Sequence, residues 1–256
     1  MFLGFKSSGL AIRTAKIILA ILLARVSQCD SWGWSQGRSL LLQAVFDAWT
    51  KKGNAVLDEA QRLVRHSEVK GGMKPNEFTM SIHDPALALK ARPIQAPQTE
   101  LFQIPSSNVP AGELAILDRL RIDSVEDPGS LGWFQNTREE WTSANGGRSD
   151  KSVVLVGNYH EVPLLHHTVK IGFMYIEANN TYPVHAHTAY EIYHIIAGEA
   201  LISDQSNKTD RLVRRKPGEI IINEPYEKHT LRTEKESVFI LWLWVGDTSG
   251  YWFSRD

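Results

Sequence analysis

Cysteine is nearly absent: Cys29 is the single one in 256 residues. That excludes an intrachain disulfide framework and any zinc site built from four cysteines or from two cysteines and two histidines. If a metal is held, histidine and carboxylate must hold it. An excess of either charge is also absent. Twenty-eight Lys and Arg face 29 Asp and Glu, for a net charge of −1, so the basic footprint of a nucleic-acid binder is missing. No stable membrane span is expected at the N-terminus. The apolar run from Ile17 to Ala24 is eight residues long, far short of the ~20 a bilayer requires. Residues 1–29 contain Lys6, Arg13, Lys16 and Arg25 but no acid. This pattern fits an export or organelle-targeting segment, with a cytoplasmic protein that starts on an amphipathic stretch as the competing expectation. Residues 1–30 are therefore set apart as a targeting or disordered segment, and a cytoplasmic location is the main expectation.

What is present divides the chain. With 43% hydrophobic residues and eight tryptophans, the chain is globular rather than disordered. Ser39 can cap a helix through 40–52, where Leu41, Leu42, Val45, Phe46 and Trp49 recur at helical spacing. A second amphipathic helix is expected over 55–66. Residues 67–112 hold six prolines and Gly71-Gly72 and read as loop and short extended pieces. These segments make residues 31–112 a helical region and proline-rich linker. Residues 113–122 fit a helix or a strand equally well. From Lys151 on, runs rich in Val, Ile, Tyr and Phe alternate with Gly, Pro, Asn and Asp, as in an antiparallel sandwich or barrel. Residues 113–256 are taken as that barrel.

Residues 181–200, "TYPVHAHTAYEIYHIIAGEA", carry the chemistry. Read as one strand, they place His185, His187, Glu191 and Tyr193 on a common face. Burying two imidazoles, a carboxylate and a phenol together is costly without a purpose, and a divalent metal supplies one. Two His and one carboxylate make an open site suited to Zn, Fe, Mn, Ni or Co. A fourth ligand should come from another strand. His229 lies early on a strand that returns after Pro217-Gly218 and "EIIIN", so a hairpin brings it opposite the first. His66, His83, His160, His166 and His167 are read as ordinary histidines.

The string His185-x-His187-x₃-Glu191, with Gly198 after six further residues, resembles the first motif of the cupins, and "KPGEIIINEPYEKH" resembles the second. Asn179 stands where that pattern carries a glycine, and asparagine tolerates the same left-handed turn. The resemblance implies a mainly β fold, a double-stranded β-helix (jelly-roll barrel) preceded by N-terminal α-helices. The longer string Tyr182-Pro-x-His185-x-His187-x₃-Glu191-x-Tyr193 resembles the cupin-type dimethylsulfoniopropionate (DMSP) lyases, as do the Thr four residues past His229 and the ending Trp244-x-Gly-Asp. This implies a metal-dependent carbon–sulfur lyase that forms acrylate and dimethyl sulfide by β-elimination. His185, His187, Glu191 and His229 would be the ligands. Tyr193 and Tyr182 would flank the metal, with Tyr193 favoured as base and Tyr182 as positioning group or alternative base. The face of Trp244 would meet the cationic sulfonium, and Trp133, Phe134 and Trp141 are candidates for the mouth. Two other readings stand beside it: another metal-dependent cupin enzyme, dioxygenase or isomerase, and a non-catalytic binding module. A small-molecule substrate is expected, no nucleic acid, and a homodimer is compatible with a small barrel.

Overall fold

The computed structural model describes helical positions within 41–49 and the stretches 80–82, 91–93, 98–126, 131–136, 150–157, 164–165, 169–203, 211–248 and 251–253. Expectations for residues 1–30, the helix over 55–66, Trp141 and the five ordinary histidines lie outside the described residues. Among the described residues, no helix is long and apolar enough to cross a membrane.

Two sheets make the body. The first runs in the order β1 (Met80–Ile82), β14 (Tyr251–Phe253), β7 (Thr181–His187), β12 (His229–Arg232), β9 (Ala200–Ser203) and β10 (Leu212–Arg215). The second runs β11 (Ile220–Asn223), β8 (Tyr190–Gly198), β13 (Val238–Val245), β6 (Val169–Ile176), β4 (Lys151–Gly157), β3 (Phe134–Asn136) and β2 (Ala91–Pro93), with β5 (Leu164–Leu165) beside β4. The chain crosses repeatedly from one sheet to the other, including between β7 and β8 and between β11 and β12. The fold is the cupin double-stranded β-helix. The extended pieces expected before residue 113 include β1 and β2, one strand in each sheet.

Residues 98–103 and 111–126 form helices, α1 (Gln98–Gln103) and α2 (Ala111–Glu126). The first differs from the loop expected there. The second settles the ambiguity over 113–122. Its buried residues, Glu113, Ile116, Leu117, Leu120, Asp123 and Ser124, recur at three- and four-residue steps, which only a helix can turn to one side.

The apolar runs fill two cores because the eight-stranded sheet is covered on both faces. In β13, Phe239, Leu241, Leu243 and Val245 join Val153, Phe173 and Ile192 against Leu41, Val45, Trp49, Ile116 and Leu120 of the helices. The alternate residues Val238 and Ile240 join Tyr182, Tyr193, Ile202 and Leu231 between the two sheets, with Trp242 packed against them. Each such fully buried aliphatic or aromatic contributes about 1.5–3 kcal/mol. Strand alternation thus yields a continuous apolar run with no polar face.

Two turns are shaped by backbone demands. Asn179 has φ 57°, as its place in the cupin pattern requires, and the Thr233 and Glu234 backbone holds that turn: Asn179 N–H donates to Glu234 O (2.7 Å) and Thr233 N–H to Asn180 O (2.9 Å). Gly198 has φ 72°, and a Cβ there would lie 1.9 Å from Ser237 O.

Candidate metal centre

The strand expected over 181–200 is broken. A bend at Thr188-Ala189 sends β7 into one sheet and β8 into the other. His185 and His187 therefore reach into the barrel from the six-stranded sheet, and Glu191 and Tyr193 from the eight-stranded one. They converge across the bore rather than along a common face. Local alternation could not show this, because a two-residue bend preserves the parity that a single strand would have.

Register brings the fourth residue in. His229 on β12 pairs with His185 on β7, opposite the first strand as expected, but not through a hairpin: β11 pairs with β8 in the other sheet. Glu191 lies in a cross-strand row. Asn223 of β11 pairs with it on one side and Trp244 of β13 on the other, and Lys170 of β6 pairs with Trp244. Partners in register share a face, so this row points into the barrel.

His185, His187, Glu191 and His229 are all buried, and one ligand atom from each lies within 4.8 Å of the others. Each imidazole is held the same way. Nδ1 of His185 lies 2.8 Å from Pro183 O, that of His187 2.8 Å from Ala189 O, and that of His229 2.8 Å from Glu227 O. A carbonyl only accepts, so each Nδ1 carries a proton, and in a neutral ring Nε2 is left with a lone pair. Two of those Nε2 atoms sit 3.1 and 3.0 Å from Glu191 Oε2. Lone pairs facing a carboxylate oxygen in a buried site repel unless a cation lies among them. The donor set thus fits a divalent metal: three oriented imidazoles, one carboxylate, and Nδ1 contacts of the kind that orient metal-bound histidines.

Electrostatics agree. Burial pushes the His185 imidazole well below its usual value, and the neighbouring His229 adds to that. Burial also lowers His187, against the opposing pull of Glu191. Both rings are therefore neutral at pH 7. Neutral imidazole and ionised carboxylate are the ligating forms.

Around the four, the sequence reading missed two supports. Asn223 Nδ2 donates to Glu191 Oε2 (3.1 Å). Lys170 is buried, donates to Thr248 O (3.0 Å), and stands 5.3 Å from the Trp244 ring centroid. Burial lowers its pKa to about 8, against the opposing charge of Asp247. Only sheet register could have revealed either residue. Trp244 itself donates from Nε1 to Glu191 Oε1 (2.6 Å), with its ring 4.3 Å from that of His187. Tyr182 and Tyr193 are both in the barrel core. The Tyr182 ring meets His185 edge-on at 5.0 Å and the Tyr193 ring meets His229 at 6.1 Å. Trp133 does not line a mouth: it is buried behind the eight-stranded sheet, 6.1 Å from Phe239. Tyr226 takes φ 64°, and its N–H donates to His187 O (2.8 Å), tying the β11–β12 loop to the metal strand. A bulky residue at positive φ is strained, and such strain clusters at functional sites.

The chain is 36% identical over 74 residues to the dimethylsulfoniopropionate lyase DddQ of Ruegeria pomeroyi, covering 29% of this chain and 35% of that protein. It thus spans about a third of that curated relative's length. Among solved structures it is similar to the DMSP lyases RdDddP and RnDddQII, with a TM-score of 0.53 and 17% identity over 82% of this chain and 92% of the other. It is also similar to the crystal structure of Ruegeria pomeroyi DddQ, with a TM-score of 0.50 and 20% identity over 81% and 95%. At those identities the structural likeness shows the fold. The family model of dimethylsulfoniopropionate lyases matches residues 101–241, more than half of the 256 residues; the chain belongs to the dimethylsulfoniopropionate lyase family.

Proposed function

We propose that the protein is a metal-dependent carbon–sulfur lyase that converts DMSP to acrylate, dimethyl sulfide and a proton. The observation that carries this reading is the pair of buried tyrosines, Tyr182 and Tyr193, set against the His185 and His229 rings. A divalent cation held by His185, His187, Glu191 and His229 would withdraw charge from the substrate carboxylate and lower the pKa of a nearby phenol.

The chain's own residues account for the remainder. Tyr193, two positions past Glu191 on β8, takes the proton from the carbon next to the carboxylate. The electrons of that C–H bond form the new double bond, and the C–S bonding pair leaves with sulfur as neutral dimethyl sulfide. Tyr182, held at the start of β7 by Pro183, orients the substrate from the opposite sheet. Asn223 and Trp244 hold the two Glu191 oxygens, which keeps the carboxylate in one geometry through the cycle. The four candidate ligands and both tyrosines are buried, and shielding from water strengthens each of these contacts.

Incubating the purified chain with DMSP and Mn²⁺ or Fe²⁺, then measuring headspace dimethyl sulfide, tests the reading. Dimethyl sulfide and acrylate in equal amounts without oxygen uptake are expected. Oxygen consumption, or no turnover with either metal, would overturn it.

A further inference from the structure

Trp242 and Trp244 are two residues apart on β13, so both side chains face the barrel. Their surroundings differ. The Trp244 indole is engaged on several sides: Nε1 on Glu191, the His187 ring at 4.3 Å, and the Lys170 ammonium 5.3 Å from the ring centroid. A second cation placed against that ring would be repelled by the first. Trp242 has no such neighbour in its row. Its register partners are Tyr193 on β8 and Gly172 on β6. A Cβ on Gly172 would fall 2.3 Å from Trp242 Cζ2, so the indole lies directly over the glycine backbone. Trp242 is partly exposed, as Trp244 is; its ring lies 6.0 Å from that of Trp244 and packs against the cluster that holds Tyr182, Tyr193 and Ile221.

The reaction constrains where the cation must go. In DMSP the sulfur is two bonds from the carbon that gives up its proton. Whatever holds the sulfonium must therefore be an immediate neighbour of the base. Residues directly opposite across an antiparallel pair have Cβ atoms about 4.5–5.5 Å apart, and Trp242 stands opposite Tyr193.

We propose that Trp242, laid over Gly172 and opposite Tyr193, is the aromatic surface that binds the cationic end of the substrate, while Lys170 and Trp244 form an end of the site that repels it. The ligand class is a compact onium, sulfonium or quaternary ammonium, carried on a short carboxylate. This rests on the lyase reading for the identity of the base, but its test does not need turnover.

Two ligands separate charge from shape: 3-(trimethylammonio)propanoate carries the cation, and 4,4-dimethylpentanoate has the same shape with an uncharged head. Binding of each to the metal-loaded full chain is measured by calorimetry for wild type, Trp242→Met, Trp242→Phe, Trp242→Leu and Trp244→Phe. Wild type should prefer the onium. Trp242→Met should reduce that preference by about 5- to 30-fold, and Trp242→Phe, which keeps a ring, should retain most of it. Trp242→Leu, which also removes the ring but keeps an apolar side chain, should lose preference as Trp242→Met does, and it serves if the methionine variant fails to fold. Equal weakening of both ligands in Trp242→Met would reduce Trp242 to a packing residue and overturn the proposal. So would a wild type without onium preference, or a loss of preference confined to Trp244→Phe. Absence of dimethyl sulfide alongside an intact, Trp242-dependent onium preference would remove the lyase reading and leave this assignment standing.

Discussion

His185, His187 and His229 each anchor Nδ1 on a backbone carbonyl, and each thereby presents a fixed Nε2. The base is separate from this scaffold. Tyr193→Phe should keep the metal, read by elemental analysis, and lose about 10²- to 10⁴-fold in lyase rate; full turnover would move the base to Tyr182. His229→Ala should instead lose the metal. The same burial sets an acid limit on the metal-free protein. His185 and His187 titrate below their unfolded value of ~6.5, so the unfolded chain binds more protons and stability falls as pH drops through ~6.5. Urea midpoints of chelator-treated protein should therefore decline steadily from pH 7 to pH 4; a flat profile would show these groups to be solvated. His185, His187, Glu191 and Tyr193 were legible in the sequence because such side chains recur at short spacing, His229 from the strand that returns after Pro217-Gly218, and Tyr182 from the family resemblance. Asn223 and Lys170 were not, since each enters through a strand remote in sequence.

Strand β8 works on both faces. Glu191 and Tyr193 point into the barrel, and His194 points out toward the helices. Trp49 Nε1 donates to His194 Nδ1 (3.2 Å), which leaves the His194 proton on Nε2 to donate to Glu113 Oε1 at 2.7 Å. This buried chain links the helical residues within 41–49, α2 and the strand that carries Glu191. Glu113→Ala leaves a buried N–H without its carboxylate and should cost about 2 kcal/mol, read as a lower urea midpoint with metal content unchanged. An unchanged midpoint would show that the helical layer docks by apolar packing alone. Apolar spacing was enough to place Leu41, Val45 and Trp49 on one face of a helix. It could not decide α2, because Glu113 and Asp123 interrupt its buried stripe with charge, and those charges are tolerated only where a partner meets them: His194 for the first, Arg119 for the second.

At the scale of the whole molecule, the four proposed ligands join the two sheets: His185, His187 and His229 from one, Glu191 from the other. A bound metal would cross-link the barrel and stabilise the folded state by mass action, by about 2.7 kcal/mol at a hundredfold excess over its Kd. Stripping it with a chelator should lower Tm by about 5–10 °C, reversed by adding Mn²⁺; an unchanged Tm would mean that the site does not hold metal tightly. The amino-acid sequence by itself determined the donor set, its two clusters 38 residues apart, the alternation that makes strands, and the left-handed turn at Asn179. All of these follow from residue type and near-neighbour spacing. Tertiary structure decided that β7 and β8 belong to different sheets, that Asn223, Glu191, Trp244 and Lys170 share one row, and that Trp242 lies over Gly172 beside Tyr193. Those facts depend on register between distant strands, which is set by how two sheets pack around a common core and leaves no periodic trace in any one segment.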